Sequence, residues 1–299
     1  MKKKRNKMKV SKGEIIFEAI VYTIAILMII AIVYPLWFIV IASFSNPADV
    51  AGGKVWLWPV RITFDGYKEL LKQSLIWQSY WNTIKYTVVG TFVALAVNIP
   101  AGYAMTRKDM VGRSWIQIFY LVPMFVGGGL VPTYLVVKNL GLLDTFWVMV
   151  LPFSVSIYNI IVARTFFNSS LPEGLWEAAQ VDGCGTIRFF FTMVLPLSKA
   201  ILAVIGLWTA VGIWNSWFNA LIYLNSEHMQ PLQLILRRVL ITNESLIGTA
   251  NGDLAVELRK LSDMMKYASI VISTIPIMCL YPFLQKYFNK GVMIGAIKE

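Results

Sequence analysis

The sequence predicts an all-α polytopic membrane protein with six transmembrane helices, on three observations. The 299 residues are 57% hydrophobic and only 14% charged, whereas soluble domains run near 45–50% apolar and about 25% charged. Mean hydropathy is +0.63. Six apolar segments, roughly 19–42, 82–104, 115–137, 145–167, 198–223 and 267–288, reach the length of about 20 residues that a helix needs to cross a bilayer. Helix is expected in every one, because lipid offers backbone polar groups no partner. Pro35, Pro100, Pro123, Pro132, Pro152 and Pro276 fall inside them and are expected at kinks.

The first run, about Ala19 to Ala42, exceeds the 7–15 residues of a signal-peptide core, and no small-x-small cleavage pattern follows. It is read as a retained span. Lys2, Lys3, Lys4, Arg5, Lys7, Lys9 and Lys12 precede it with no aromatic among them. That pattern reads as a cytoplasmic tail, 1–18, on anionic lipid, with no nucleic-acid partner. With the tail inside, 16 of the 27 basic residues fall in inner segments and 10 in outer ones, with Lys85 at the mouth of the second span. The short loops decide: 105–114 holds three basic residues and 138–144 holds one. Both termini are therefore placed in the cytoplasm, with the loops 43–81 and 224–266 outside.

Two cysteines, Cys184 and Cys279, and one histidine, His228, exclude a Cys/His zinc cluster and a disulfide framework. An intramembrane hydrolase needs a nucleophile and a base within a span. The lone histidine lies in the outer loop, and no Ser-Lys dyad stands out.

The cytoplasmic insert 170–197 breaks the apolar pattern. Ser170 and Glu173 have capping-box spacing, Pro172 suits a first turn, and a helix is expected from about Leu171 to Asp182. Gly183 offers the left-handed conformation that ends helices. Thr186 is expected to cap a second short helix, and Leu195-Pro196 to start the return to the membrane. Ala178 and Ala179 keep the first helix thin, Glu177 and Asp182 can pair with basic groups on another protein, and Leu175 and Trp176 are expected as an apolar anchor beside them. The bland reading is two short helices lying on the headgroups. Against it, Glu-Ala-Ala followed two residues later by Asp-Gly arises by chance in roughly one such chain in two thousand.

EAAQVDGCGTIRFFFTMVLPL, residues 177–197, resembles the coupling loop, known by its EAA motif, of transmembrane permease subunits of ATP-binding-cassette importers. FSNPADV, WLWPVRITFDGY, FVGGGLVPTYLVVKNLGLLDT and GVMIGAIKE resemble the carbohydrate branch, particularly its oligosaccharide importers. The resemblance covers nearly the whole chain. It implies a type I importer permease fold, with 19–288 as the six-span domain and 289–299 as a cytoplasmic tail. It implies that Glu177, Ala178, Ala179, Asp182 and Gly183 dock on an ATPase, and that the tail with Gly291, Gly295 and Lys298 reaches toward the ATPase pair. The implied partners are a second permease subunit, two ATPase subunits, an extracellular solute-binding protein, the oligosaccharide and the bilayer of a bacterial cell membrane. This chain is expected to bind no cofactor and no metal, with ATP and Mg used by the partner ATPase. Cys184 stands where alanine is usual, Ala200 where proline is common, and Lys-Glu ends the chain where Lys-Gly is usual. Independently, the sequence holds no G-x-x-x-x-G-K-[ST] phosphate loop, so it shows no means of cradling ATP.

Trp208, Gly212, Asn215, Asn219 and Tyr223 recur at helical intervals in the fifth span. Amides facing lipid are expensive, so this face should look at protein or water. Ser156, Tyr158 and Asn159 add polar groups in the fourth span. Rings and amides suit a sugar path; small and amide residues also glue helices together, and both readings stand at this point. So do three alternatives of function: a permease for a non-sugar solute such as a peptide, an uncoupled channel, and a scaffold.

Overall fold

The computed structural model describes residues 12–249, 259–260, 262–279 and 282. All regular structure among them is helical. The chain forms two units, Met1–Leu70 with Asn243–Val271 and Leu71–Thr242 with Ile272–Glu299.

In the first unit, α1 (Lys12–Ser43) is a 32-residue apolar helix. Its side chains are exposed from residue 13 through residue 37. A helix apolar all round needs lipid or another chain as its surroundings. After it, α2 (Pro47–Ala51) starts at Asn46, whose side chain accepts the Ala48 N–H at 3.0 Å. Asp49 is 2% exposed, and its carboxylate holds Arg61 at 2.5 Å and Lys54 at 3.7 Å. That closes the turn carrying Trp56, Leu57 and Trp58. The Trp37 indole donates to the Leu57 carbonyl at 2.9 Å. Phe44 stacks on Tyr67 at 5.2 Å, and the Tyr67 hydroxyl donates to Ser43 Oγ at 2.8 Å. The stretch 43–81, expected as a loop, thus contains α2, α3 (Asp65–Lys72) and the first turns of α4.

The second unit is built around α4 (Ser74–Ala104), 31 residues long. α5 (Arg113–Phe125) and α6 (Leu130–Asn139) follow, then a 3₁₀ turn at Phe146–Met149 and α7 (Ile157–Ser170). α8 (Glu173–Val181), α9 (Thr186–Phe189), a π segment (Phe190–Val194) and α10 (Leu195–Leu197) form the insert. α11 (Lys199–Trp214), α12 (Phe218–Tyr223) and α13 (Leu232–Thr249) complete the series, and residues 262–279 are helical apart from these.

α4 packs against both α7 and α11. Gly102 permits the α7 contact: a Cβ there would stand 2.6 Å from that of Ala163 and 3.0 Å from the Ile160 carbonyl oxygen. Small residues let helices approach this closely where lipid removes the hydrophobic drive to associate. Two cores result. One joins Tyr86, Val148, Val150, Tyr223, Leu224 and Leu234. The other joins Ile99 and Tyr103 of α4, Ala163 and Phe167 of α7, Phe189, Phe190 and Val194 of the insert, and Ile201 and Ile205 of α11.

The spans are less regular than expected. Among the described residues, only α1 and α4 are single helices long and apolar enough to cross a bilayer, and the number rises to four if each of two bent pairs counts as one span. The segment 115–137 bends by 117° between α5 and α6, at Gly127-Gly128-Gly129. The segment 145–167 becomes regular α-helix only at Ile157. The segment 198–223 breaks after Trp214. The end of the segment 267–288 lies outside the described residues. The stretch 224–266, expected as a loop, contains α13.

Asn98 explains how one break is tolerated. Fully buried in α4, it donates to the carbonyls of Ala94 at 2.7 Å and Ser154 at 2.8 Å, and accepts the Ser156 N–H at 2.9 Å. It supplies the partners that helix would have given the chain between the 3₁₀ turn and α7. At the other end of α4, the Asn82 amide donates to the His228 carbonyl at 2.7 Å, Tyr86 donates to the Met229 carbonyl at 2.7 Å, and Thr83 Oγ1 accepts the Leu232 N–H at 2.8 Å. The Asp144 carboxylate accepts the N–H groups of Asn225 at 2.9 Å and Ser226 at 2.8 Å.

Replacing Asn98 by Leu leaves the Ser154 carbonyl and the Ser156 N–H without that partner, at a cost of about 1–3 kcal/mol. The expected outcome is a lower melting midpoint in detergent; an unchanged midpoint would remove Asn98 from this role. A second expectation concerns pH. The hydrogen bond from Arg61, helped by the charges of Arg61 and Lys54 and opposed by burial, holds the Asp49 carboxyl below its ordinary 3.8. The tie is therefore present above that value and is lost as pH falls through the lowered one. Hydrogen exchange across 46–61, corrected for intrinsic rate, should stay level from about pH 7 to about pH 5 and quicken only in stronger acid; Asp49→Asn should quicken it throughout.

Candidate functional site

The insert forms a projecting knuckle. α8 begins at Glu173, with Pro172 in extended backbone before it and no side-chain cap. Ser170 ends α7, so the capping box is not formed: the chain needs extended backbone ahead of Pro172, and that separates Ser170 from the new helix. The far end closes as expected. Gly183 sits at φ +70°; its N–H donates to the Gln180 carbonyl at 3.0 Å, and the Cys184 N–H donates to the Ala179 carbonyl at 2.8 Å. That paired pattern satisfies the last carbonyls of a helix ended by a left-handed glycine. Thr186 does not cap α9. It is the first helical residue, after Gly185.

The faces differ from expectation. Leu175 and Trp176 point inward onto the second core. Trp176 meets Phe189 edge-on at 5.0 Å, and the Arg107 guanidinium lies 3.8 Å over its ring. Arg107 is held in turn by the Asp109 carboxylate, at 3.0 Å through Nε and 2.7 Å through its terminal nitrogen. That hydrogen bond lowers the Asp109 pKa from its ordinary value. The free face carries Glu177, Ala178, Asp182 and Gly183, all exposed, with Ala179 half-buried. The apolar groups that it offers outward are Val181, 88% exposed, and Ile187, 76% exposed. Sequence reasoning missed Arg107 and these two; an Arg two residues before an Asp, in the short 105–114 loop, was the available signal. Gly291, Gly295 and Lys298 lie outside the described residues.

The candidate path residues divide. Tyr158, Asn159, Trp208 and Asn219 line one cavity of about 460 Å³ with Met149, Phe153, Thr209, Gly212, Ile213 and Ser216. The rings of Tyr158 and Trp208 lie 5.7 Å apart and tilted by 36°. The other three lie elsewhere. Ser156 starts α7, its hydroxyl accepting the Asn159 N–H at 3.3 Å. Asn215 sits at the break after α11 and donates to the Val211 carbonyl at 2.9 Å. Tyr223 is 2% exposed in the first core and stacks on Tyr134 at 6.1 Å. The stripe assumed one continuous helix; across the break after Trp214, Asn219 still reaches the cavity, while Asn215 and Tyr223 do not line it. Among the described residues, the cavity walls hold rings, amides and hydroxyls, and no charged side chain.

Residues 87–294 match the family model described as binding-protein-dependent transport system inner membrane component. The chain belongs to that family. This permease is 39% identical over 266 residues to Protein LplC of Bacillus subtilis (strain 168), covering 89% of each chain. It is 33% identical over 283 residues to the polygalacturonan/rhamnogalacturonan transport system permease protein YtcP of the same organism, covering 95% of this chain and 98% of that one. Its structure resembles a chain in the crystal structure of a bacterial ABC transporter involved in the import of the acidic polysaccharide alginate. There the TM-score is 0.83 at 32% identity, with 93% of this chain and 98% of that chain covered. The protein is thus a multi-pass permease subunit of an ATP-binding-cassette importer, with the helical type I permease fold, and a transport subunit rather than an enzyme.

A Cβ at Gly183 would meet no atom within 4 Å, so the cost of a substitution there is backbone strain. Gly183→Val should cost about 1–2 kcal/mol, loosen residues 178–186 in hydrogen exchange and depress uptake by the assembled transporter. Gly183→Asn, which tolerates the left-handed region, should recover most of both. Equal behaviour of the two variants would show that φ at this position does not matter.

Proposed function

We propose that this permease forms half of a translocation path for an oligosaccharide or glycan fragment, driven through its cytosolic knuckle. One observation carries the reading. α8 presents Glu177, Ala178, Asp182 and Gly183 outward, while its other face sits on a core shared by α4, α7 and α11. The same α7 and α11 supply Tyr158, Asn159 and Trp208 to the cavity. A push on the knuckle therefore has a packed route to the cavity wall.

In this reading Glu177, Ala178, Ala179, Asp182 and Gly183 dock on an ATPase subunit that uses ATP and Mg, and the tail around Gly291, Gly295 and Lys298 reaches the ATPase pair. Six spans cross the membrane, the bent pairs counting as spans, and both termini are cytoplasmic. A second permease subunit and lipid cover the exposed length of α1. An extracellular solute-binding protein delivers cargo to the outer segments, α13 among them. The domain limits follow: a basic tail 1–18, a membrane domain 19–288 and a terminal tail 289–299. Relatives named for polygalacturonan/rhamnogalacturonan and alginate support a glycan cargo, as does the ring-and-amide cavity, since rings pack on the apolar face of a sugar and amides bond its hydroxyls.

The test places cysteine at Ala178 in a chain with Cys184 and Cys279 replaced, assembled with its partner subunits in vesicles. Crosslinking to the ATPase subunit is expected, and the crosslinked fraction should lose oligosaccharide uptake. Uptake that continues with no crosslink formed would overturn the reading.

A further inference from the structure

Between α2 and α3 the chain carries an apolar tip that the transport path does not use. Trp56, Leu57 and Trp58 form it, all exposed, Trp56 by 68% and Trp58 by 74%. Indole rings are seldom left this open to water. The turn beneath them is firmly closed. The Asp49 carboxylate ties Lys54 and Arg61 across its base. The Asn46 N–H donates to the Val60 carbonyl at 3.1 Å, and the Thr63 N–H to the Phe44 carbonyl at 3.0 Å. Arg61 is held at φ +47°, a conformation uncommon outside glycine and kept only where the surroundings enforce it.

Two observations indicate what covers the tip. The first is depth. The Trp37 indole donates to the Leu57 carbonyl at 2.9 Å, and the Trp58 ring meets that of Trp37 edge-on at 6.3 Å. Trp37 lies six residues before Ser43, the end of α1, which is about 9 Å along the helix axis. The tip therefore folds back along α1 to the level where that helix becomes exposed apolar surface. Interfacial apolar segments enter the boundary between headgroups and acyl chains by about 5–10 Å, so the depth matches. The second is polarity. The Trp56 indole donates to the Gly53 carbonyl at 2.7 Å, and that of Trp37 to Leu57, so neither N–H needs water. The charges sit at the base instead. Lys54 and Arg61 against Asp49 leave one positive charge there, suited to headgroup phosphates.

We propose that this tip is a membrane anchor. Trp56, Leu57 and Trp58 enter the headgroup–acyl boundary of the leaflet at the C-terminal end of α1, which is the outer leaflet in the reading above. Lys54 and Arg61 face its phosphates. Tryptophan is favoured at this boundary because an apolar body and a polar edge are accommodated together. Anchoring fixes the depth of this end of α1. The proposal rests on α1 crossing the bilayer, and the experiment reads that separately.

The full chain, with Cys184 and Cys279 replaced, is assembled with its partner subunits in vesicles of phosphatidylcholine and phosphatidylglycerol. Single nitroxide labels are placed through Leu57→Cys, Lys54→Cys and Ile29→Cys. Spin relaxation is measured with oxygen, which concentrates in hydrocarbon, and with a nickel chelate, which stays in water. The oxygen-to-nickel ratio should be several-fold higher at 57 than at 54. Equal ratios at the two sites would overturn the proposal. So would a label at 57 shielded from both reagents, which would put a protein partner on the tip. Nickel access at 29, in the middle of α1, would remove the span on which the tip depends; nickel access at 57 with none at 29 would remove the anchor alone.

Discussion

The seat of α8 on the bundle is the contact that ties the knuckle to α4, α7 and α11, the last two of which also line the cavity. Trp176 lies between Phe189 and the Arg107 guanidinium, and Leu175 and Ala179 join it against the residues of α4, α7 and α11. These contacts are individually weak and collectively stiff, because a close-packed interior resists compression. Arg107 adds direction: its charge is held by Asp109 and its plane by the indole. With that seat loosened, a partner pressing on the exposed face would bend the knuckle and leave the helices behind it in place.

Beyond the seat, the bundle departs from straight spans wherever the cavity needs walls. The opening beside Trp208 exists because α7 starts late, at Ile157, and α11 stops early, at Trp214. Each departure exposes backbone groups that lipid cannot satisfy. Side chains answer them. Asn98 covers the break before α7, Ser154 bonds back to the Val150 carbonyl, and Asn215 bonds back to Val211. The π segment 190–194 precedes Pro196, whose missing N–H removes a helical hydrogen bond; a wider turn beside it accommodates that loss. Irregular backbone of this kind is tolerated where it is buried in protein or lines a cavity.

Much of the candidate site was legible beforehand. The helix–glycine turn at 173–183 follows from local chemistry: a proline before the first turn, small residues within, and a glycine at the position that requires positive φ. Tyr158, Asn159, Trp208 and Asn219 were legible as polar or aromatic groups on otherwise apolar helices. Tyr223 and Asn215 fall outside the cavity because helical spacing was carried across a break that no proline marks; the local sequence Trp-Asn-Ser-Trp gives little warning of it. Asn98 was overlooked although a lone amide deep in an apolar run is expensive without a partner.

Composition and apolar run lengths by themselves determined that the chain is helical and membrane-embedded, since no other backbone arrangement of such segments survives in lipid short of a closed barrel. The glycine-ended knuckle was likewise determined locally, as its φ requirement belongs to one residue. Tertiary structure decided the rest: which face of α8 turns inward, where the spans break, and which of the evenly spaced polar groups meet in a cavity. Those outcomes depend on contacts between segments distant in sequence, such as Asn98 with Ser154 and Arg107 with Trp176. Periodicity along one helix carries no information about the partner across from it.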